Sequence, residues 1–390
     1  MSHLLMDNNI TNHDNQKVIK FLRTNPKLTN GKKVEEFEHK WSKWLGVKYS
    51  VFVNSGSSAN LLSVSYLKTI FNSGEIVVPS LTWVSDVTSV IYNNFKPVFV
   101  DINLENLAMS LKDIKKAVNK NTKAIFISHI LGFNGLTQEI LDLVKQKNLF
   151  LIEDVCESHG AMFKNKKLGS FGHISNFSFY YAHHMSTIEG GMVCTNDRKI
   201  YEIIRMMRSH GMLRESKSKQ IKNIFQKKFS NLNKDFIFAY PGYNLRSTEI
   251  NAIYGLNQLK RLNQNNRKRI NNLKIFLDNL DEKKYFTRFE SEGSCNYAFV
   301  IILSEKNRNL SFRKRFEKKL NSHQIEFRRG TAGGGNQTLQ PYLKRSKISF
   351  KVIGKLVNTN IVHGYGYYIG NYPDLKKEKI IKICKILNNI

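Results

Sequence analysis

The segment Ser178-Phe-Tyr-Tyr-Ala-His-His-Met-Ser-Thr-Ile-Glu-Gly-Gly191 lies near the middle of the chain and combines two adjacent histidines with an acidic residue and a glycine pair. No lysine occurs between Lys167 and Lys199, so the segment offers the imidazoles of His183 and His184 but no amine. A positioned imidazole moves protons near neutral pH, whereas an amine is needed to form a Schiff base with an aldehyde. The segment therefore predicts proton transfer without covalent capture of a carbonyl compound.

Short apolar strands and helices alternate on the N-terminal side of this segment. The predicted strands are 49–53, 76–80, 96–101, 123–128 and 149–154, and the predicted helices are 14–25, 33–45, 84–93, 110–119 and 136–147. This alternation favours an α/β fold with a mainly parallel sheet covered by helices on both faces. Ligands of such folds bind at the carboxyl ends of the strands, so the polar residues there are the first candidates for a site.

Two of these strand ends carry residues suited to a ligand. Gly56, Ser57 and Ser58 follow the first strand and begin a helix, where backbone N–H groups can cradle a phosphate, although any strand-to-helix joint can use small residues. Asp154 ends the fifth strand and can either cap it or pair with a protonated ring nitrogen. Both alternatives are open from these residues alone.

The motifs together resemble the sugar aminotransferase family of pyridoxal-phosphate enzymes, the DegT/DnrJ/EryC1/StrS type. That family has Ser-Phe-His-x-x-Lys followed by an acidic-Gly-Gly element, which corresponds here to Ser178 and to Glu189-Gly190-Gly191. His183 stands at the lysine position. The resemblance covers about residues 25–375 and implies a fold-type I aminotransferase-like architecture. It implies a cofactor-binding large domain with N-terminal helices at 1–265 and a small C-terminal α+β domain at 266–390.

The resemblance also implies the residues of the site. The cofactor-binding residues would be Gly56, Ser57, Ser58, Trp83, Asp154, Glu157, Ser178 and Asn244. The substrate-binding residues would be Tyr180, Arg246, Arg328, Arg329, Gly334 and Asn336. Trp83 would stack on the cofactor ring unless it is one more core aromatic. Asn244 and Arg246 fall in the segment that reaches the neighbouring subunit in the family, which implies a homodimer with shared active sites.

A histidine at the lysine position is typical of the sugar 3-dehydratases in this family. It implies pyridoxal or pyridoxamine phosphate held without a covalent bond, glutamate as amino donor, and a nucleotide-linked 4-keto-6-deoxyhexose substrate, with GDP favoured over CDP. His183 is the expected base, His184 competes with it, and His210 is either a second acid–base group or a helix-terminal histidine. The alternatives are an aminotransferase with an unusual anchor and an inactive nucleotide-sugar-binding relative.

Composition and cysteine usage exclude several partners. The formal charge of +30 comes from 61 Lys and Arg against 31 Asp and Glu, but the lysines are scattered, so we expect a solvated basic surface and no nucleic-acid partner. No apolar run is long enough to cross a membrane. The four cysteines lie far apart, so we expect reduced thiols in the cytoplasm, no metal site, and neither an iron–sulfur cluster nor its partner reductase.

Three further segments are interpreted from residue pattern. Trp41 and Trp44 lie at helical spacing with other apolar residues and are expected in the core. Residues 213–236, rich in Lys, Ser and Asn, are expected to form a mobile loop over the site, followed by a long helix at 247–280. His129 is equally compatible with a site and a structural role.

Overall fold

The computed structural model describes residues 2–390 and has the alternating strands and helices that the sequence predicts. The helices are α1 (Asn12–Leu22), α2 (Lys32–Leu45), α3 (Gly56–Lys68), α4 (Val84–Tyr92), α5 (Leu111–Ala117), α6 (Gln138–Gln146), α7 (Arg198–Arg208), α8 (Lys219–Lys228), α9 (Glu249–Asp278), α10 (Leu310–Ser322), α11 (Pro341–Arg345), α12 (Val357–Tyr365) and α13 (Lys377–Asn388). The strands are β1 (Tyr49–Val53), β2 (Glu75–Pro79), β3 (Lys96–Val100), β4 (Thr122–Ser128), β5 (Phe150–Asp154), β6 (Met162–Phe163), β7 (Lys166–Lys167), β8 (Ile174–Ser178), β9 (Gly191–Thr195), β10 (Ala298–Ile302), β11 (Phe327–Arg329), β12 (Lys351–Val352) and β13 (Gly366–Gly370).

An eight-stranded sheet in the order β1-β9-β8-β5-β4-β2-β3-β12 forms the centre of the molecule. Every pair from β8 to β12 along this order is parallel, and β9 runs antiparallel to both of its neighbours. Alternate side chains of each strand point to opposite faces, so Val77 packs on one face and Ile76 and Val78 on the other. Helices α2, α5, α6 and α9 cover the first face, and α3, α4 and α7 cover the second. The predicted α/β class and mainly parallel sheet are confirmed.

The C-terminal part of the chain builds a smaller antiparallel sheet in the order β10-β13-β11. Its core includes Phe276 at the end of α9 together with residues of α10 and α13. Helix α9 runs unbroken through the predicted boundary at 265/266, and β12 returns to the large sheet to pair with β3. The division into 1–265 and 266–390 stays a prediction.

The predictions for individual segments differ in outcome. Trp41 is fully buried and Trp44 packs against the same core, as expected. The loop expected at 213–236 contains helix α8, which begins after its cap Ser218. Ile221 and Phe225 lie four residues apart on α8 and pack against the core beneath it. The loop prediction was wrong because it relied on the polar composition of 213–236 and overlooked this helical spacing of apolar residues.

Residues 2–390 contain neither a membrane-spanning helix nor a cluster of metal ligands. None of the helices there combines the length and apolar character needed to span a bilayer. The same residues contain no group of three His, Cys, Asp or Glu side chains placed to hold a metal ion. All four cysteines are free thiols in this structure.

Candidate active site

A cavity of about 880 Å³ opens at the carboxyl edge of the large sheet. Its walls come from the segments that follow β1, β2, β4, β5 and β8 and from residues of the smaller sheet. This is the position at which parallel α/β sheets bind ligands. The parallel strands thus bring together residues that are more than a hundred positions apart in the chain.

The turn between β1 and α3 forms one end of the cavity. Ser55 caps α3 by accepting a hydrogen bond from the backbone N–H of Ser58. Gly56 packs so tightly that a Cβ atom there would lie 2.6 Å from the Cβ of Ser178 and 3.0 Å from the Sγ of Cys156. The free N–H groups at a helix start carry partial positive charge and bind phosphates. Gly56 and Ser57 line the cavity here, which suits a phosphate-bearing ligand.

Asp154 supplies a carboxylate at the end of β5. Its Oδ1 accepts a hydrogen bond from the Cys156 N–H at 2.8 Å, and its Oδ2 accepts one from Asn60 Nδ2 at 2.9 Å. The same Asn60 nitrogen lies 2.7 Å from Oδ1 of Asp86, a fully buried acid in the first turn of α4. Asp154 therefore faces the cavity in a fixed orientation, backed by a second carboxyl group.

His183 lies in the loop between β8 and β9 and borders the cavity. Its Nδ1 is buried without a hydrogen-bond partner among the described residues, so Nε2 is the ring nitrogen open to the cavity. Burial lowers the pKa of His183 to about 4; Asp154 acts in the opposite direction, and Arg269 lowers the pKa further. The imidazole is consequently neutral at pH 7 and able to accept a proton.

His184 is oriented differently from its neighbour. It is buried, its Nε2 lies 2.8 Å from the Cys295 carbonyl oxygen, and its ring stacks on His159 at 5.2 Å. Burial holds its pKa well below the ordinary value. His184 does not line the cavity, which leaves His183 as the loop histidine positioned to meet a ligand.

Side chains of α9 hold the histidine loop in place. Gln258 accepts a hydrogen bond from the Ser186 N–H at 2.9 Å. Asn251 donates hydrogen bonds to the carbonyl oxygens of Thr187 and Glu189. A loop fixed by polar side chains of a buried helix positions its histidine with little loss of entropy on ligand binding.

Glu157 is a second acid on the cavity wall. Its Oε2 accepts a hydrogen bond from the Leu131 N–H at 2.7 Å, and its Oε1 accepts one from the Tyr297 hydroxyl at 3.3 Å. Burial raises the pKa of Glu157 to about 7, with Asp154 acting in the same direction and the two hydrogen bonds against it. This carboxyl group can change its charge near neutral pH.

The mouth of the cavity carries aromatic and basic side chains. Trp83 caps α4 and is 53% exposed, so it is not one more core aromatic. Tyr180 also faces the opening, with its ring 6.0 Å from that of His183. Arg328 and Arg329 enter from β11 on the smaller sheet, where Arg329 pairs with Glu317 at 3.2 Å. Aromatic faces and guanidinium groups at the entrance suit a ring and a phosphate.

The structure brings most of the predicted site residues to this cavity. Those that line it are Gly56, Ser57, Trp83, Asp154, Glu157, Ser178, Tyr180, His183, Arg328, Arg329 and Gly334. Ser58 is buried in α3 and does not line the cavity. Asn336 is also buried, and its side-chain amide donates a hydrogen bond to Asn360. His210, Asn244 and Arg246 lie outside the cavity. His210 and Asn244 are exposed, and Arg246 donates to Asn244.

His129 has both ring nitrogens occupied by the protein. Its Nδ1 accepts a hydrogen bond from the Gly135 N–H at 3.0 Å, and its Nε2 lies 3.3 Å from the carboxylate of Glu153. The side chain is fully buried, although the residue borders the cavity. These contacts favour the structural alternative for His129.

Several residues of the cavity were not singled out from the sequence. Leu4 and Met6 come from the N-terminal segment, in which His3 forms a parallel β-bridge with Ile325. Tyr297 directly precedes β10, and Tyr368 lies in β13 of the smaller sheet. Tyr368 lies in the glycine-rich stretch Gly364-Tyr-Gly-Tyr-Tyr-Ile-Gly370 of the sequence. No local pattern marks the N-terminal residues, because only the tertiary fold brings them here.

The residues present fit pyridoxamine phosphate. The helix start at Gly56 accommodates a phosphate, and the close approach of Ser178 and Cys156 leaves no room for a side chain there. Asp154 can accept a hydrogen bond from a protonated ring nitrogen. No lysine is among the described residues that line the cavity. The site therefore suits this cofactor held by noncovalent contacts alone.

Comparisons with known proteins agree with this geometry. A family model described as the DegT/DnrJ/EryC1/StrS aminotransferase family matches residues 8–388. The chain is 32% identical to GDP-4-keto-6-deoxy-D-mannose 3-dehydratase of Escherichia coli O55:H7, over 91% of this chain and 92% of that protein. It is 28% identical to GDP-perosamine synthase of Escherichia coli O157:H7, over 92% of this chain and 90% of that protein.

A solved structure is similar over the whole chain. The structure is that of a GDP-4-keto-6-deoxymannose-3-dehydratase with a trapped PLP-glutamate geminal diamine. It matches with a TM-score of 0.89 and 29% identity, covering 99% of this chain and 100% of that one. The fold-type I aminotransferase-like architecture expected from the sequence is thereby confirmed.

Proposed function

Because the chain belongs to the DegT/DnrJ/EryC1/StrS aminotransferase family, we propose that it is a pyridoxamine-phosphate-dependent 3-dehydratase. It removes the C3 hydroxyl group of a GDP-linked 4-keto-6-deoxyhexose, and glutamate restores the amine of the cofactor. The observation that carries this proposal is His183, which borders the cavity at the position where the family pattern has lysine. The similarity to GDP-4-keto-6-deoxymannose 3-dehydratases over nine-tenths of the chain supports it.

The side chains of the cavity have distinct tasks in this reaction. Bound pyridoxamine phosphate supplies an amine for the C4 ketone and a ring that accepts electron density. Asp154 accepts a hydrogen bond from the N–H of the cofactor ring, and the start of α3 at Gly56 binds the phosphate. Nε2 of His183 accepts a proton and returns it to the departing C3 oxygen, since a positioned neutral imidazole can do both.

The mouth of the cavity recognises the nucleotide-sugar part of the substrate. Arg328 and Arg329 bind the diphosphate, because guanidinium groups pair with phosphate oxygens through two hydrogen bonds. Tyr180 and Trp83 supply exposed aromatic faces in the same cavity. The preference for GDP over CDP follows from the similarity to GDP-sugar enzymes.

Mass spectrometry of the sugar product tests this proposal. The protein is incubated with pyridoxamine phosphate, glutamate and either GDP-4-keto-6-deoxymannose or a CDP-linked 4-keto-6-deoxyhexose. We expect the GDP-sugar to lose one oxygen atom, with release of ammonia. A product that keeps nitrogen at C4 would identify an aminotransferase instead. An unchanged sugar, with no absorbance change when glutamate meets the pyridoxal-loaded protein, would identify an inactive binding protein.

We also propose a cytoplasmic homodimer with shared active sites. Asn244 and Arg246 do not line the cavity of their own chain, and they lie in the segment that reaches the neighbouring subunit in the family. Exposed Phe236 and Phe238 lie nearby in the chain and offer apolar surface for a second copy. Free thiols in all four cysteines support a reducing compartment.

Complementation between two inactive variants tests the shared site. We expect His183→Asn and Arg246→Ala chains to be weak alone and to regain activity when mixed, because a mixed dimer holds one intact site. Light scattering gives the mass of each preparation. Failure of mixed dimers to regain activity, or a monomer by light scattering, would contradict shared sites.

A further inference from the structure

Next to Asp154 lies a second carboxyl group, Asp86, which has no part in the proposed reaction steps. Asp86 is fully buried in the first turn of α4, and Asp154 is the neighbouring acid that acts on its pKa. One amide nitrogen, Nδ2 of Asn60, lies 2.7 Å from Oδ1 of Asp86 and 2.9 Å from Oδ2 of Asp154. The two acids therefore form a pair joined through one shared donor.

No positive charge balances this pair. In the part of the chain that the structure describes, no Lys, Arg or His nitrogen lies within 4.0 Å of either carboxyl group. Two adjacent buried carboxylates cannot both stay ionised at neutral pH, because burial and mutual repulsion each disfavour the second charge. The pair must bind a proton.

The hydrogen bonds around Asp86 provide a place for that proton. Oδ2 of Asp86 contacts the hydroxyl groups of both Thr82 and Ser128, and these two hydroxyl oxygens lie 2.8 Å from each other. If each of these three oxygen–oxygen contacts is a hydrogen bond, the set needs three hydrogen atoms, whereas the two hydroxyl groups supply two. A proton on Asp86 supplies the third and closes the set.

The remaining charge belongs on Asp154. Asp154 reaches the cavity, where solvent or a cationic ligand group can stabilise it, and its Oδ1 accepts a backbone hydrogen bond from Cys156. Asp86 also borders the cavity, but none of its surface is exposed to solvent. The start of α4 favours ionised Asp86, but this effect is short-ranged and acts against both burial and the neighbouring acid.

We propose that Asp86 is a positioning residue that keeps its proton at neutral pH, so that Asp154 is the single charged carboxylate offered to the ring nitrogen of the cofactor. The role toward the ring nitrogen rests on the proposed function, whereas the retained proton does not. Burial and the neighbouring Asp154 hold the pKa of Asp86 well above its ordinary value, while the hydroxyl groups of Ser128 and Thr82 act in the opposite direction.

The other titratable groups around the pair add no positive charge at neutral pH. Burial raises the pKa of Cys156, with Asp154 and Asp86 acting in the same direction. Burial also raises the pKa of Tyr342 on α11, on which Asp86 acts in the same direction. Burial lowers the pKa of His183 to about 4, and Glu157 is an acid. A protonated carboxyl group is thus the one arrangement consistent with all of these neighbours.

Infrared spectroscopy of the full chain at about pH 8 tests for the proton directly. We expect the carbonyl band of an un-ionised buried carboxyl group in the wild type and in the control Asp374→Asn, whose carboxylate is 81% exposed. We expect the band to be absent from Asp86→Asn. A wild type without the band at pH 8 overturns the proposal without any variant, and so does a band that Asp154→Asn removes and Asp86→Asn keeps.

Proton release on unfolding gives a second measurement. Folded Asp86 is protonated and unfolded Asp86 is ionised at neutral pH, so the wild type releases about one proton more than Asp86→Asn when it unfolds. The unfolding equilibrium constant of the wild type, divided by that of Asp86→Asn, should accordingly rise about tenfold per pH unit. The wild type therefore loses stability relative to the variant as pH rises. Equal proton release overturns the proposal.

The positioning role has its own measurement, the dissociation constant of pyridoxamine phosphate. We expect Asp86→Asn to bind the cofactor within a few-fold of the wild type, because its uncharged side chain can still accept the hydrogen bond from Asn60 that holds this donor beside Asp154. We expect Asp86→Leu to bind at least about tenfold more weakly, since Asn60 then loses that partner and the charged Asp154 loses a fixed hydrogen-bond donor. Equal loss in both variants refutes the positioning role. None of these measurements needs the sugar substrate, so the proposed 3-dehydratase activity can fail or hold independently of them.

Discussion

The floor and the mouth of the cavity differ in charge, burial and origin. The floor consists of Asp86, Asp154, Glu157 and His183, which follow strands of the large sheet and lie in its buried edge. The mouth is lined by exposed cationic side chains from the smaller sheet, such as Arg329 with 46% of its side chain exposed. Electrostatic interactions are strong where water is excluded and weak where it is present. We therefore expect the floor to catalyse the reaction. We expect the mouth to bind the substrate, with only a small contribution to affinity from each residue.

Replacing His183 should have the largest effect on the floor. We expect His183→Asn to slow dehydration by about a hundredfold to ten-thousandfold, because the proton acceptor is lost. Binding of pyridoxamine phosphate, measured by absorbance titration, should stay within a few-fold. Single-turnover mass spectrometry of the sugar measures the rate.

The neighbouring His184 is the matched control for this experiment. His184→Asn loses the hydrogen bond to Cys295 and should lower the free energy of unfolding by about 1–2 kcal/mol. Dehydration by the folded fraction should fall less than about tenfold. If His184→Asn abolished dehydration while His183→Asn stayed active, the assignment of the base would be reversed.

Asp154 should show the next largest effect, on the cofactor. Asp154→Asn removes a charge-assisted hydrogen bond to the ring nitrogen, worth about 1.5–3 kcal/mol. We expect the dissociation constant of pyridoxamine phosphate to rise about tenfold to a hundredfold. Asp374→Asn, far out on the surface, should leave it unchanged. If Asp154→Asn and the wild type bound pyridoxamine phosphate with equal affinity, Asp154 would not be the hydrogen-bond partner of the cofactor ring.

Glu157 should make the stability of the floor depend on pH. Its folded pKa of about 7 exceeds the ordinary 4.5, so the folded state holds the proton more tightly than the unfolded state. The stability contributed by the protonated form is complete below pH 4.5 and is lost as pH rises to about 7. We expect Glu157→Gln to avoid this loss and to gain up to about 2 kcal/mol relative to the wild type across that interval.

Urea unfolding of the cofactor-free chain at several pH values measures this difference. Replacing the exposed surface acid Asp374 by Asn is the control and should leave the pH dependence as in the wild type. A difference between Glu157→Gln and the wild type that stayed constant from pH 4.5 to 7 would contradict the raised pKa.

The mouth should show the smallest effect and the strongest dependence on salt. We expect Arg328→Ala to raise KM for the GDP-sugar about fivefold at low ionic strength, with kcat nearly unchanged. The increase should shrink in high salt, because exposed charges are screened. Arg315→Ala on α10, which does not line the cavity, is the control. A loss of kcat in Arg328→Ala would mean that the mouth takes part in the chemistry.

Local sequence was sufficient for much of the floor. Asp154 follows an apolar strand, and Gly56 follows another and starts a helix, so both had to lie at the same edge of a parallel sheet. The choice between His183 and His184 was open at that level. The answer depends on which imidazole contacts the carbonyl oxygen of Cys295 and which one faces the cavity. Side chains of α9 fix this by hydrogen bonding to the loop.

The mouth and the proton-holding pair could not be predicted in the same way. Asp86 is an unremarkable acid in the first turn of a helix until Asn60, Thr82 and Ser128 surround it in three dimensions. Leu4 and Met6 enter the cavity because the N-terminal segment pairs beside the smaller sheet. Helix α8 was overlooked where the polar composition of 213–236 concealed its apolar face.

The sequence by itself determined the alternation of strands and helices, the residues at the strand ends, and the absence of lysine around His183, because these depend on periodicity and residue type. Only the tertiary structure decided which histidine meets the cavity, which carboxyl group lacks a counter-charge, and which distant segments complete the walls. Those outcomes depend on burial and on contacts between residues far apart in the chain, and the electrostatic free energy of a side chain changes with its surroundings more than with its position in sequence.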